Sequence, residues 1–347
     1  MELFFELIQV ALGIRNELSR VSTVDEWKQI YQESQRQAVI GVTVEGIDKL
    51  PQEQRPSQVM VLEWIGAAEI IRKRNKILNQ RCVEIQLVFA QAGFRSCILK
   101  GQGNATMYPN PYSRMPGDID IWVDGERDAI IDFVKGFAPA ANIKYKDIAF
   151  HYKDVDVEAH FFPAYLNNFK YNKRFQQFVS RNKAKQFEHL TEFENAKICT
   201  PTDDFNIIYQ MAHLYHHFFC EGIGMRHFID YYYLLKKVNG KALYIDFSQF
   251  GMQRFVEGVM WVEKEVLGLP ETLLIAKPNA KVGKVLMNEI ILYGNFGNFK
   301  NLNKTVRQVK WGNTLRPIKY LNVFPRDSFD RLLFNLWLRC RSFCFMR

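Results

Sequence analysis

Apolar positions recur at helical spacing through about the first ninety residues, switch to alternation over roughly the next seventy, and return to helical spacing from Asn167 onward. Thr23 followed by Glu26 has the pattern of a capping box opening a helix over VDEWKQIYQESQRQAV, and Pro56-Ser57 opens a long helical run that Gly93 ends. Within that run Val61, Trp64, Ile65, Ala68, Ile71, Leu78, Cys82, Ile85 and Phe89 form one apolar face, predicted to be buried. After Gly93 the pattern is that of strands: SCILK, DIDIWV and the strictly alternating VDVEAHF, separated by Gly/Pro/Asn-rich turns and by a helix-like ERDAIIDFVKGF. Farther on, three helices are predicted: DDFNIIYQMAHLYHHFFC behind Pro201-Thr202, RHFIDYYYLLKKV ended by Asn239-Gly240, and DFSQFGMQRFVEGVMWVEKEVLG before Pro270. Leu274 to Pro325 has no clear pattern, and SFDRLLFNLWLRCRSFCFMR is amphipathic, basic and aromatic.

These elements predict an α+β chain. An N-terminal helical segment (1–93) and a mainly helical, basic C-terminal domain (167–347) flank a small α/β core (94–166). At 48% hydrophobic residues over 347 positions, there is enough apolar material for one large or two ordinary domains, and disorder is excluded. No window approaches the roughly 18 consecutive apolar residues of a membrane span. Glu2 and Glu6 stand where a secretory signal would carry Lys or Arg, so a cytoplasmic protein without integral membrane insertion is expected. Six cysteines without a CxxC pair argue against a disulfide framework and a structural zinc.

The net charge of +9 is unevenly placed. The first 160 residues are close to balanced, whereas Lys300 to Arg347 has 11 basic residues against only Asp327 and Asp330. That end suits a phosphate-rich partner or, on the simpler reading, a solvated helical surface. The last stretch could dock on a membrane surface or cap the helical domain; its length and Phe content favour capping.

Chemistry concentrates in LKGQGNATMYPNPYSRMPGDIDIWV. Asp118 and Asp120, at i and i+2 of an apolar strand, project from one face about 6–7 Å apart. Ile119, Ile121 and Val123 point the other way, into the core. Paired acids at such a position are costly unless a cation neutralises them, and a divalent metal is the usual one. In VDVEAH the residues Asp156, Glu158 and His160 share a face, so pairing of that strand beside DIDIWV would bring three carboxylates together. Such a cluster suits two Mg²⁺ ions, with Mn²⁺ as the alternative, and phosphoryl or nucleotidyl transfer.

The sequence LKG…MYP…R…GDIDIWV, with VEAH and the downstream AHLYHH…RHFIDYYYLL, resembles the DNA polymerase β-like nucleotidyltransferase superfamily, and within it a bacterial branch of uncharacterised nucleotidyltransferases. The resemblance spans about Leu99 to Leu235 and is strongest over the acidic motif. It implies a mixed-sheet nucleotidyltransferase core, an NTP substrate and Mg²⁺, with Asp118, Asp120 and Glu158 as metal ligands and catalytic carboxylates. Lys100 and Gly101 stand where the superfamily commonly has Gly-Ser at the phosphates. A lysine ammonium can neutralise triphosphate as a point charge, and Gly101 permits close backbone approach. Gln102 and Arg114 join the nucleotide-binding set, with Arg114 either contacting phosphate or salt-bridging an acid; Asp156 competes with Glu158 for the third-carboxylate role. The resemblance also places His213, Arg226 and Asp230 on the cleft wall facing the acids, where a buried polar network between helices is the simpler reading; His160 could accept a substrate proton or, on the simpler reading, be a hydrogen-bonded buried histidine. His213 and His217 have i, i+4 spacing that can bind zinc, but the glutamate of an HExxH motif is missing. The function implied is transfer of a nucleoside monophosphate from an NTP to an unidentified acceptor, which the basic C-terminal region suggests is polyanionic. A non-catalytic nucleotide- or nucleic-acid-binding module is the alternative.

Overall fold

In the computed structural model, which describes residues 1–238, 245–297 and 305–345, the N-terminal ninety residues form four helices. They are α1 (Glu2–Ala11), α2 (Val24–Arg36), α3 (Ile40–Lys49) and the 34-residue α4 (Gln58–Gln91). The expected capping box opens α2: the Glu26 amide donates to Thr23 Oγ1 at 3.3 Å while the Thr23 amide donates to Glu26 at 2.9 Å. Trp64, Ile71, Leu78, Cys82, Ile85 and Phe89 of α4 are buried as anticipated. Ile65 is not: it is 46% exposed, because the first half of α4 is covered along a narrow seam where Trp64 meets Trp27 and Tyr31.

A five-stranded mixed sheet follows, in the order β1-β2-β5-β4-β3. Its strands are β1 (Arg95–Ile98), β2 (Ile119–Asp124), β3 (Asn142–Ile143), β4 (Asp147–Tyr152) and β5 (Val155–His160). A single helical turn, α5 (Gln102–Ala105), follows β1, and α6 (Arg127–Phe137) follows β2. The β2–β5 pair is parallel; the other pairs are antiparallel. Strand alternation divides the sheet's two faces. Ile119, Ile121, Val123, Val157, Ala159 and Ile148 pack against α4 and α6. Trp122 points the opposite way, 4.8 Å from the Phe187 ring and stacked at 5.9 Å on Phe205. Asp120, Glu158 and His160 share that second face and so lie toward the helices that follow.

Those helices are α7 (Phe169–Glu188), α8 (Asp203–Cys220), α9 (Met225–Val238), α10 (Gln253–Glu265), α11 (Ala280–Tyr293), α12 (Val306–Leu315) and α13 (Pro325–Phe345). The expectation of unbroken helix after Asn167 fails at a hairpin, β6 (Leu190–Phe193) and β7 (Ala196–Cys199). Its strands have four residues each, too short for alternation to announce them. The segment read as one helix before Pro270 is divided by Gly251, whose φ of +70° ends the turn Phe247–Phe250 ahead of α10. The unpatterned stretch after Leu274 contains α11 and α12, each with a side-chain cap, from Asn279 and Thr305. The predicted helix end at Asn239-Gly240 lies outside the described residues. Phe334 of α13 is buried, its ring 5.1 Å from that of Tyr165, so this helix packs on the protein body. No helix among the described residues is long and apolar enough to cross a membrane.

One contact from the N-terminal helices bears on the site. Gly41 of α3 lies against the Ser113 carbonyl so closely that a Cβ would approach its oxygen to 2.1 Å, and Asn75 of α4 donates to the carbonyls of Tyr112 and Arg114. The loop delivering Arg114 is thus clamped by both helices. Gly41→Ala is expected to lower the unfolding free energy by about 1–3 kcal/mol through overpacking. Denaturant unfolding measures this, and unchanged stability would show that the clamp is loose.

Candidate active site

Asp120 is 1% exposed on β2, directly opposite Glu158 in the parallel β2–β5 register. Burying a carboxylate demands compensation, and it comes from two sides. Lys100 Nζ lies 3.1 Å from Asp120 Oδ1, and His160 Nε2 lies 2.8 Å from the same oxygen. Burial opposes ionisation of Asp120, yet the charge of Lys100 and the His160 hydrogen bond hold its carboxyl far below the usual range. Lys100 itself is fixed by the chain around it. Leu99 N–H donates to the Asp120 carbonyl at 2.9 Å, and Gly101, at φ +59°, then turns the backbone into α5.

Asp118 lies one residue ahead of β2 and opens onto the cleft. The negative charge of Asp120, helped by partial burial, raises the Asp118 pKa. Such an excess of negative charge is what a bound cation relieves. On the other side of Asp120, Glu158 is gripped by Lys144, and Lys146 lies 3.4 Å from its Oε2. Burial works to raise the Glu158 pKa, but Lys146 and its neighbours pull it below the ordinary value. Asp120, Glu158 and His160 each offer a ligand atom within 4.8 Å of the others, a donor set of the kind that can hold a divalent cation; Asp118 is not in that group. No other such group occurs among the described residues.

The wall across from the acids comes from α8 and α9. Asp230 accepts a two-pronged hydrogen bond from Arg114, both contacts 2.8 Å, and further bonds from Tyr108 (2.7 Å) and Asn104 (3.1 Å). Arg226 donates to the Met115 carbonyl at 3.1 Å; its Nε is buried without a partner. Burial, then the charge of Arg114, lowers its pKa to about 10. The His213 ring lies with its Nε2 3.5 Å from Lys100 Nζ and 4.2 Å, centroid to centroid, from His217. Burial and then Lys100 push the His213 pKa well below its usual value, so it is neutral at physiological pH. Two recesses meet at Lys100, Asp118, His213 and Phe296: a tight one of about 40 Å³ toward Arg226 and Asp230, and a wider one of about 410 Å³ toward Lys144, Lys146 and His217.

The structure therefore brings Lys100, Gly101, Arg114, Asp118, Asp120, Glu158, His213, Arg226 and Asp230 to one cleft, with His160 behind Asp120. Gln102 turns inward to the side chain of Asn79. Asp156 lies away from the cluster, largely exposed and 3.0 Å from His151. Lys144 and Lys146 from the turn between β3 and β4, and Asp147 at the start of β4, which the sequence reading passed over, complete the charge cluster. The alternation in KYKDIAFHY was the available signal. Glu221, just past the end of α8, and His227, buried in α9, were likewise missed, although His227 falls within the RHFIDYYYLL stretch.

Residues 23–268 match the model of a family described as uncharacterised nucleotidyltransferase. Among solved structures, the chain is similar to an antigenic nucleotidyltransferase-like protein from Paracoccidioides brasiliensis, at 12% identity and a TM-score of 0.36, over 61% of this chain and 95% of that one. It is also similar to the Thermotoga maritima CCA-adding enzyme complexed with tRNA, at 12% identity and a TM-score of 0.20, over 75% of this chain and 78% of that one. No curated protein matches it.

Arg114 and Asp230 join the loop before β2 to α9, and breaking a buried pair by removing one partner costs about 3–5 kcal/mol. Asp230→Ala should therefore lower stability at pH 7 by that order. Burial opposes the ionisation of Asp230, but Arg114 outweighs it and lowers the pKa. The stabilisation is thus full above the unfolded-state value, about pH 4, and fades as pH falls through the lower folded-state value. Urea unfolding of wild type and variant at pH 7 and pH 3 should show the gap narrowing in acid. A gap independent of pH would contradict the assignment.

Proposed function

The chain belongs to the uncharacterised nucleotidyltransferase family, and on that footing we propose that it is a metal-dependent nucleotidyltransferase, moving a nucleoside monophosphate from an NTP to an acceptor hydroxyl or phosphate. The observation that carries this reading is the β2–β5 register, which places Asp120 opposite Glu158 with Asp118 free toward the cleft. Asp118 and Asp120 would hold Mg²⁺ or Mn²⁺, with Glu158 completing the carboxylate set. When bound, the ion supplies a positive charge for the phosphates and eases loss of the acceptor's proton.

The chain's own groups do the remainder. Lys100 presents a fixed ammonium to the polyphosphate, and Gly101 leaves room for it beside the Asp118 backbone. Arg226, with its buried unpartnered Nε, adds charge from the far wall. The acceptor oxygen forms a bond to the α-phosphorus as the bond from that phosphorus to the bridging oxygen of the β-phosphate breaks. Pyrophosphate leaves with the bonding pair. Glu158 takes the proton of an acceptor hydroxyl; Lys144 and Lys146 keep it ionised across neutral pH, which makes it an available but weak base. The wider recess is the place for the acceptor, oriented by His213 and His217 from the wall opposite the acids. A nucleotide-sensing module is the second reading, favoured by the three lysines already resting on Asp120 and Glu158.

Incubation with Mg²⁺, NTPs labelled at the α- or γ-phosphate, and a lysate of the host separates the two. Transfer predicts α-label in an acceptor and γ-label in pyrophosphate; a sensor transfers neither. Asp118→Asn and Asp120→Asn should each reduce transfer by more than about a hundredfold, with Asp118→Asn no less stable than wild type because it removes a repelled charge. Asp156→Asn should leave the rate within about twofold. Equal loss on Asp156→Asn would move the third carboxylate to that position.

A further inference from the structure

Four carboxylates and three ammoniums crowd around the β2–β5 junction. Lys100 rests on Asp120; Lys144 grips Glu158 and lies 3.7 Å from Asp147; Lys146 lies 3.3 Å from Asp147 and 3.4 Å from Glu158. One negative charge is left over, and among the described residues no ion pair ends on Asp118. Two divalent ions would bring four positive charges to a cluster short of one, an excess that only the phosphates of a bound substrate would offset. The two ions would also compete with Lys100 and His160 for Asp120, and with both other lysines for Glu158.

Lys100 is not a loose surface lysine reaching in. Its side chain is 16% exposed, confined between Asp120 and His213, and its backbone is tied to β2 through Leu99. A charge held there lies beside the carboxylate that a second ion would have to share. Resting on the nucleotidyltransferase reading, we propose that this centre takes one divalent ion rather than two, held by Asp118 with Asp120, and that the Lys100 ammonium fills the place of the second. Lys100 then serves a ligand role for phosphate and a neutralising role for Asp120 at once, while His160 keeps its hydrogen-bonding contact with the same carboxylate.

The test counts ions without requiring turnover. Mn²⁺ binding to the full chain is measured by equilibrium dialysis and electron paramagnetic resonance, in the presence of inorganic tripolyphosphate, for wild type, Lys100→Met, Lys100→Arg and Asp118→Asn. The expected result is one Mn²⁺ per wild-type chain, lost in Asp118→Asn, with a second, millimolar Mn²⁺ appearing in Lys100→Met but not in Lys100→Arg. Melting curves confirm that each variant is folded, and Lys100→Arg carries the test if Lys100→Met is not. A count of two in both wild type and Lys100→Arg would overturn the proposal and leave the nucleotidyltransferase reading standing. A count of one in Lys100→Met with unchanged tripolyphosphate affinity would overturn the role of Lys100. Failure of wild type to bind Mn²⁺, or binding indifferent to Asp118→Asn, would overturn the underlying reading as well.

Discussion

The parallel pairing of β2 with β5 puts Asp120 and Glu158 side by side on the face of the sheet that the later helices cover. Two adjacent carboxylates with so little access to water must be neutralised. Much of the surrounding structure meets that requirement. Lys100 is delivered by the turn after β1, Lys144 and Lys146 by the turn before β4, and His160 by the next inward position of β5 itself. Asp118, one step outside the strand, is in no ion pair among the described residues, and it lines the cleft. The candidate cation site thus rests on strand register together with the two turns that deliver Lys100, Lys144 and Lys146.

The opposite wall is held by a different device. Arg114 reaches from the loop before β2 to Asp230 on α9, and Tyr108 and Asn104 close the remaining hydrogen-bonding positions of that carboxylate. This network ties the acidic loop to the helical wall, so the two sides of the cleft are one connected assembly. Gly41 and Asn75 hold the same loop from behind. Of the two roles the sequence left open for Arg114, phosphate contact or a salt bridge to an acid, the structure has the salt bridge, with Nε and one terminal nitrogen of its guanidinium on Asp230.

Legibility in the sequence followed pattern length. The long helix α4, the capping box at Thr23, and the inward Ile119, Ile121 and Val123 were readable because many residues repeat one period. Glu158 was readable because VDVEAH alternates without exception. The hairpin β6–β7 was not, having four residues per strand, and neither was the β4 strand, whose KYKD approach looks like a solvated charge run until register sets Asp147 opposite His160. The pairing of Arg114 with Asp230, 116 residues apart, is a long-range contact that neither periodicity nor a motif announces. The fate of Asp156 depended on strand ends: it shares a face with Glu158 but meets His151 at the solvent-exposed end of β5.

The central claim is that Asp118 and Asp120 form a cation centre for a polyphosphate substrate. Anomalous diffraction from crystals soaked with Mn²⁺ and a non-hydrolysable NTP tests it most directly. The expected result is a manganese peak about 2.0–2.3 Å from oxygens of Asp118 and Asp120, with phosphate density reaching toward Lys100. A peak among His213, His217 and His227 with none at the aspartates, or phosphate density bound remote from Lys100, would contradict it.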